Sequence, residues 1–428
     1  MEQHSNSLLK DLATRGLIQD ITPKLDEHLN TGQRTAYIGF DPTATSLHIG
    51  SLLPLNLLVH LHKSGHRAIA LVGGATAMIG DPSGKTDERK LLSDEDIKAN
   101  QVAVAAQIKK YLAAHNCGDI EIVNNLDWIG QFSFIDFLRN VGKSLTVNYM
   151  MAKDSVKKRL ETGISFTEFS YQLLQAYDFQ YLFKHKNCSI QMGGSDQWGN
   201  IISGTELIRR QLGAEGYAFT TPLVTKADGS KFGKSEGGNV WLDAGLTSAY
   251  KFFQFWLNVA DVEAAIYMRK FTFLPLEEIE ILEAEHAEEP HLRLLQKRLA
   301  NEVITYLHGS EGLAAALLTT DLLFGKGQWA DWQSLTEGQF ADAIEGLPTY
   351  EIKSIDNMDV LSAMVGCEGE NPFPSKGEAR KMANQGGLML NLQKVTGQET
   401  ISSFELLHGQ YIIGQKGKKN FFVLRLGK

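Results

Sequence analysis

The run GFDPTATSLHIGSL, Gly39 to Leu52, lies where an apolar strand-like segment ends and a helical pattern begins. In open α/β sheets that junction is where ligands bind. A helix N-terminus there offers unpaired backbone N–H groups and a positive dipole to phosphate, Gly50 lets a nucleotide come close to the backbone, and Thr43 and His48 can donate to phosphate oxygens. On its own, His48 reads more simply as a helix-start residue. A second run, KADGSKFGKS from Lys226 to Ser235, is polar and glycine-rich. Lys231 and Lys234, three residues apart, can both point at one polyphosphate and stabilise charge developing during phosphoryl transfer. A solvated hairpin tip at Asp228-Gly229 is the alternative for this stretch alone.

Three further constellations carry polar chemistry. Tyr171, Gln175 and Asp178 fall at i, i+4 and i+7 of a helical segment and so share one face, a polar pocket wall or a solvent-facing side. GGSDQWGN, Gly193 to Asn200, follows a strand and opens another helix, and its glycines and Asp196 suit a sugar approaching the backbone; ordinary loops have the same composition. GDPSGKT, residues 80 to 86, resembles a phosphate-binding P-loop, but that pattern needs glycine where Ile79 stands.

The elements that must position these groups follow from hydrophobic period. TAYIGF (35 to 40) and RAIALVG (67 to 73) are short apolar runs with a helical pattern from His48 to about Ser64 between them, which reads as strand, helix, strand. Strand-like runs recur at 119 to 124, 187 to 192 and 221 to 225 with helical segments between, so the expected fold class is α/β, a Rossmann-like parallel sheet wrapped in helices. This domain is expected over 1–244. A helical domain is expected over 245–325, with Leu, Ile and Phe at mixed three and four spacing. An irregular linker is expected over 326–358, followed by a small basic α+β domain over 359–428 with a helix at KGEARKMANQ and a terminal hairpin.

Composition is that of a soluble globular protein with a basic C-terminal segment. The chain has 428 residues, 43% hydrophobic and 21% charged, room for about two to three domains. The first thirty residues interleave charged and apolar positions unlike a signal or transit peptide, and no stretch approaches the ~20 apolar residues of a membrane span; cytoplasm is the expected address, with no membrane partner. Cys117, Cys188 and Cys367 are too scattered for a disulfide framework or zinc spacing, and His60 and His62 do not share a helix face with one another, so no metal site is expected. From Lys376 to Lys428, nine Lys/Arg face three Glu, a net +6, whereas the whole chain carries −8. A basic tail on an acidic body suits an enzyme of which only one part meets phosphates, although a merely solvated terminus has the same composition.

His48-Ile-Gly-Ser and Lys231-Phe-Gly-Lys-Ser together resemble the paired signatures of class I aminoacyl-tRNA synthetases. The segments YIGFDPTATSLHIG, LVGGATAMIGDPSGK, SFTEFSYQLLQAYDF, MGGSDQWGN and KADGSKFGKS, in this order, resemble the bacterial tyrosyl-tRNA synthetases over nearly the whole chain. The resemblance implies activation of L-tyrosine with ATP, then transfer to the 3′ end of tRNA(Tyr), by a homodimer. It places Thr43, His48, Lys231, Lys234 and Ser235 at the reacting phosphates. Gly39, Asp41, Gly50, Ser51, Lys85, Arg89, Gly194, Asp196 and Lys234 would surround ATP, with Asp196 on the ribose and Lys85 and Arg89 near pyrophosphate. Asp81, Tyr171 and Gln175 would hold the substrate ammonium, Gln197 would lie by its carboxyl group, and Tyr37 and Asp178 would bond the phenol. Mg2+ would accompany ATP without a dedicated protein site. The tail segment SKGEARKMANQGGLMLN resembles an RNA-binding fold shared with a small-subunit ribosomal protein, so Lys376, Arg380 and Lys381 are the candidate tRNA contacts.

Two positions depart from the family pattern. Ser51 stands where His or Asn is usual and reaches less far toward a ribose, and Ile38 is apolar where some relatives have a hydrogen-bonding residue. Both changes are expected to alter ATP affinity more than turnover. The rival readings are tryptophanyl-tRNA synthetase, against which Tyr37, Asp178 and the basic tail count; an RNA-binding or splicing factor that has lost activity, against which the intact His48, Lys231, Lys234 and Asp178 count; and a P-loop NTPase, against which Ile79 counts.

Overall fold

The computed structural model describes residues 4–427 apart from 84–91, 162, 226–231, 236–237, 324–326, 354–356 and 418–419, and the backbone alone of 155, 158, 234 and 235. Lys85, Arg89 and Lys231 therefore lie outside the described residues, as do the side chains of Lys234 and Ser235. The chain forms two compact units, Met1–Thr247 with Phe255–Leu307, and Ser248–Gln254 with His308–Lys428.

The first unit is built on a parallel sheet of β1 (Thr35–Phe40), β2 (Arg67–Val72), β3 (Glu121–Asn124), β4 (Cys188–Gly194) and β5 (Tyr217–Thr221), in the order β3-β2-β1-β4-β5. The central strands read as unbroken apolar runs because helices cover both faces of such a sheet; five of the six residues of β1 are buried. Strand order reverses between β1 and β4, which opens a crevice beyond their carboxyl ends. The helix Leu52–Lys63 joins β1 to β2, the helix Asp94–Ala114 leads to β3, Phe166–Lys186 leads into β4, and Trp198–Leu212 joins β4 to β5. Ser165 caps the third of these and Asn187, at φ 51°, ends it in the left-handed region, as short polar residues can.

Two sequence expectations change here. The fifth strand is Tyr217–Thr221 and not 221–225. Tyr217 to Thr221 pair with Ile190 to Gly194, and β4 ends at Gly194, so Pro222 and the residues after it have no β4 partner. The helix after β1 begins at Leu52, preceded by a 3-10 turn over Ile49–Ser51.

The expected helical character of 245–325 appears as Ala249–Leu257, Asp261–Phe271, Leu276–Glu288 and a segment Leu294–Leu323 interrupted at Gly309; these residues contribute to both units. In the second unit β8 (Thr349–Ile352), β9 (Leu388–Leu390), β10 (Gln393–Lys394), β11 (Tyr411–Lys416) and β12 (Asn420–Leu426) form a sheet ordered β10-β9-β11-β12-β8. The expected hairpin is β11 and β12. The segment 326–358 is not an irregular linker: it carries helices Trp329–Ser334 and Glu337–Ile344 and strand β8, which pairs parallel to β12. Trp332 and Phe340 from those helices are buried in one cluster with Phe421 and Val423. The readable signal was the capping box Thr336…Gln339. Lys376, Arg380 and Lys381 are all exposed on the helix Lys376–Asn384, whose Ala379 and Ala383 are buried.

Candidate active site

The chain leaves β1 through Asp41 into a loop that ends at His48, the residue preceding the 3-10 turn. Gly50 N–H donates to His48 Nδ1 at 3.0 Å, so the neutral ring carries its proton on Nε2. The ring is exposed, as is Thr43, and Ser51 N–H donates to the His48 carbonyl at 2.8 Å.

The second signature is tied to the first. Ile49 N–H donates to the Val240 carbonyl, Leu242 N–H to Leu47, and Val240 N–H to Gly233. β6 (Lys234–Ser235) and β7 (Gly238–Asn239) form a short antiparallel ribbon directly after Gly233. Gly233 has φ +82°, and a Cβ there would stand 2.5 Å from Ile49 Cγ2, so both conformation and space demand glycine. Phe232 packs among Phe255, Trp256, Tyr267 and Phe271 with ring centroids 5.2–5.8 Å away. Two runs about 180 residues apart in sequence are thereby joined through Ile49.

Beyond the carboxyl end of β1, Tyr171, Gln175 and Asp178 come together from the helix Phe166–Lys186. Asp178 is buried; Oδ1 accepts from Trp128 Nε1 at 2.8 Å and Oδ2 from Asn125 Nδ2 at 3.0 Å. Burial pushes its carboxyl up to about 8 against the pull of those two donors, and Asp41 adds to the rise. The buried hydroxyl of Tyr37 has no hydrogen-bond partner among the described residues, and burial, then the nearby Asp178 charge, holds its pKa well above the usual phenol value. A continuous network runs from Asp178 through Asn125 to Thr76 Oγ1 (3.1 Å), which donates to Asp41 Oδ1 at 2.7 Å; Tyr171 OH donates to Asp41 Oδ2, also at 2.7 Å. A Cβ on Gly73 would fall 2.0 Å from Asp41 Oδ1 and 2.3 Å from Thr76 Oγ1. Asp41, expected from sequence among the ATP groups, is thus bonded to both Thr76 and Tyr171.

Across the crevice, Asp81 Oδ2 accepts from Gln197 Nε2 at 2.7 Å and Oδ1 from Ser83 N–H at 2.9 Å. Asn200 donates to Ser83 Oγ at 3.2 Å and to Gln197 Oε1 at 3.3 Å, holding both. Asp196 follows Gly194 in a 3-10 turn at the end of β4; burial, then Asp81, raises its carboxyl. Sequence reasoning missed Asn125, Trp128, Thr76 and Asn200. The one signal for the first two was Asn124-Asn125 at the carboxyl end of β3, facing the same crevice.

The family model of class I tRNA synthetases (W and Y) matches residues 29–325, and that of the tyrosine–tRNA ligase SYY-like C-terminal domain matches 339–424. The tyrosine–tRNA ligase of Cytophaga hutchinsonii is 52% identical over 427 residues, 98% of this chain and 99% of the relative. That of Flavobacterium johnsoniae is 50% identical over 430 residues, with 98% and 99% coverage. Among solved structures, a C-terminally truncated mitochondrial tyrosyl-tRNA synthetase of Aspergillus nidulans superposes with a TM-score of 0.68 at 31% identity, covering 74% of this chain and 94% of that one.

Proposed function

The chain belongs to the tyrosyl-tRNA synthetase family of the class I aminoacyl-tRNA synthetases and is a tyrosine–tRNA ligase, and from that premise we propose how its residues divide the work. The tyrosine carboxylate attacks the α-phosphorus of ATP in line, giving tyrosyl-adenylate and pyrophosphate. A hydroxyl of the terminal ribose of tRNA(Tyr) then attacks the acyl carbon and releases AMP. The attacking carboxylate is already ionised at neutral pH, so the first step needs positioning and charge stabilisation and no general base.

The substrate phenol donates to Asp178 and accepts from Tyr37. Asp81, Tyr171 and Gln175 take the ammonium, with Gln197 by the carboxyl group. Gly39, Gly50, Ser51, Gly194 and Asp196 line the nucleotide, Thr43 and His48 donate to its phosphates, and Lys85, Arg89, Lys231, Lys234 and Ser235 contribute at the pyrophosphate side. Magnesium accompanies the triphosphate as its counter-ion. Lys376, Arg380 and Lys381 meet tRNA phosphates. The reaction belongs to the cytoplasm, and no described helix is long and apolar enough to cross a membrane.

The observation that carries the assignment of substrate is the unpartnered, buried Tyr37 hydroxyl beside Asp178. A buried polar group without a partner is costly, and a ligand hydroxyl relieves it while a phenyl ring does not; tyrosyl enzymes are themselves the standard instance of this discrimination. Tyr37→Phe is expected to lower kcat/KM for tyrosine about tenfold in ATP–pyrophosphate exchange, to narrow the preference over phenylalanine by a similar factor, and to leave the KM for ATP unchanged. An undiminished preference for tyrosine removes Tyr37 from the phenol site.

Homodimerisation is supported by a concentration of exposed apolar side chains between 134 and 166: Phe134, Ile135, Leu138, Val147, Met151, Leu160 and Phe166. Exposed apolar side chains that gather on one surface mark an interaction site. Phe166→Asp would place an unpaired charge in it, and sedimentation at micromolar concentration is expected to show a species of half the wild-type mass. A variant that sediments like wild type places the interface elsewhere.

A further inference from the structure

The helix that carries Tyr171, Gln175 and Asp178 is held at its start by a buried ion pair. Ser165 Oγ accepts the Glu168 N–H at 3.1 Å. Glu168 sits at the third helical position, and its two carboxylate oxygens are taken by Arg159, Nε to Oε1 at 3.0 Å and Nη2 to Oε2 at 2.8 Å. Arg159 is 4% and Glu168 3% exposed. A fork-to-fork pair of this kind fixes orientation as well as distance. Burying two charges recovers little net stability compared with an apolar pair of similar volume, so its geometry is the better account of its presence.

The helix face above it stays polar. Gln172, one turn after Glu168, is 2% exposed and its amide atoms have no partner among the described residues. Tyr171 follows Glu168 by three residues and is its neighbour on the helix surface. The 2.7 Å bond from Tyr171 to Asp41 is lost if the first turns move by about 1 Å. None of the groups assigned to ATP lies on this helix.

We propose that Arg159 is a positioning residue for the amino-acid half of the reaction: by gripping Glu168 it sets the first two turns of the helix so that Tyr171 and Gln175 meet the substrate ammonium. This rests on the assignment of those two residues to tyrosine. The test is ATP–pyrophosphate exchange on the full chain with Arg159→Met, Arg159→Lys, the double variant Arg159→Met/Glu168→Gln, and Tyr171→Phe as a control. Arg159→Met leaves a buried carboxylate alone and risks misfolding; the double variant removes that charge and keeps the question open to measurement. The expected result is a tyrosine KM raised about tenfold in the double variant with an ATP KM within twofold of wild type, and Arg159→Lys falling between. A double variant with wild-type Tm and wild-type tyrosine KM overturns the proposal, as does a parallel rise in both KM values. Should Tyr171→Phe leave the tyrosine KM unmoved, the assignment of the pocket falls and this proposal with it; a raised KM in that control with none in the double variant sinks the role of Arg159 alone.

Discussion

Asp178→Ala is expected to lower kcat/KM for tyrosine by about a thousandfold in ATP–pyrophosphate exchange while leaving the KM for ATP within twofold. A hydrogen bond is worth about 1 kcal/mol net, and stripping a buried site of one partner adds roughly 1–3 kcal/mol for each group left behind. Here two are left: the Trp128 indole N–H and the Asn125 amide, both of which donate to Asp178. About 4 kcal/mol in all corresponds to that thousandfold, each 1.4 kcal/mol being a factor of ten. Asp178→Asn keeps the volume but replaces an acceptor oxygen with a donor, which then faces one of the two N–H groups. It is expected to fall short of wild type for the same reason. Steady-state KM values for each substrate decide the matter, since equal losses toward ATP and tyrosine would show that Asp178 serves the fold and not the phenol.

The parts of the molecule legible in its sequence are those whose signal is local. β1 and β2 announce themselves because a strand covered on both faces must be apolar throughout, and the helix-face spacing of Tyr171, Gln175 and Asp178 survives folding unchanged. β5 was misplaced because threonines continue past Pro222, and only pairing with β4 decides where the strand stops. The helices and strand within 326–358 were missed because each is short and is stabilised mainly by burying Trp332 and Phe340 in the core of the second unit, a tertiary effect that propensity does not report. The polar network has the same origin. Asn125, Thr76 and Asn200 are unremarkable residues until the ends of β1, β2, β3 and β4 bring them to Asp178, Asp41 and Asp81. Asp41 lies in the nucleotide signature by sequence and accepts from Thr76 and Tyr171 in the structure, where Gly73 leaves room for its carboxylate.

His48→Ala is expected to lower kcat for tyrosyl-adenylate formation about a hundredfold with the tyrosine KM unchanged. Removal of one preorganised donor to a developing oxyanion costs roughly 10²–10³ in kcat where such donors have been deleted, and His48 is placed in that role by the reading proposed above. Its Nδ1 accepts from the Gly50 N–H, which puts the proton of the neutral ring on Nε2. Two functions are superposed in this side chain, however, because accepting from Gly50 N–H is also what a helix-start residue does. Two substitutions separate them. Asparagine caps well but does not reach as far as Nε2, whereas glutamine caps poorly and can carry an N–H to about that position. If His48 acts on the phosphates, His48→Gln retains more kcat than His48→Asn in a single-turnover measurement of adenylate formation. The reverse order, with asparagine restoring activity, assigns His48 to holding the turn that the Val240 carbonyl ties down through the Ile49 N–H, and leaves Thr43 as the phosphate-side donor of this loop.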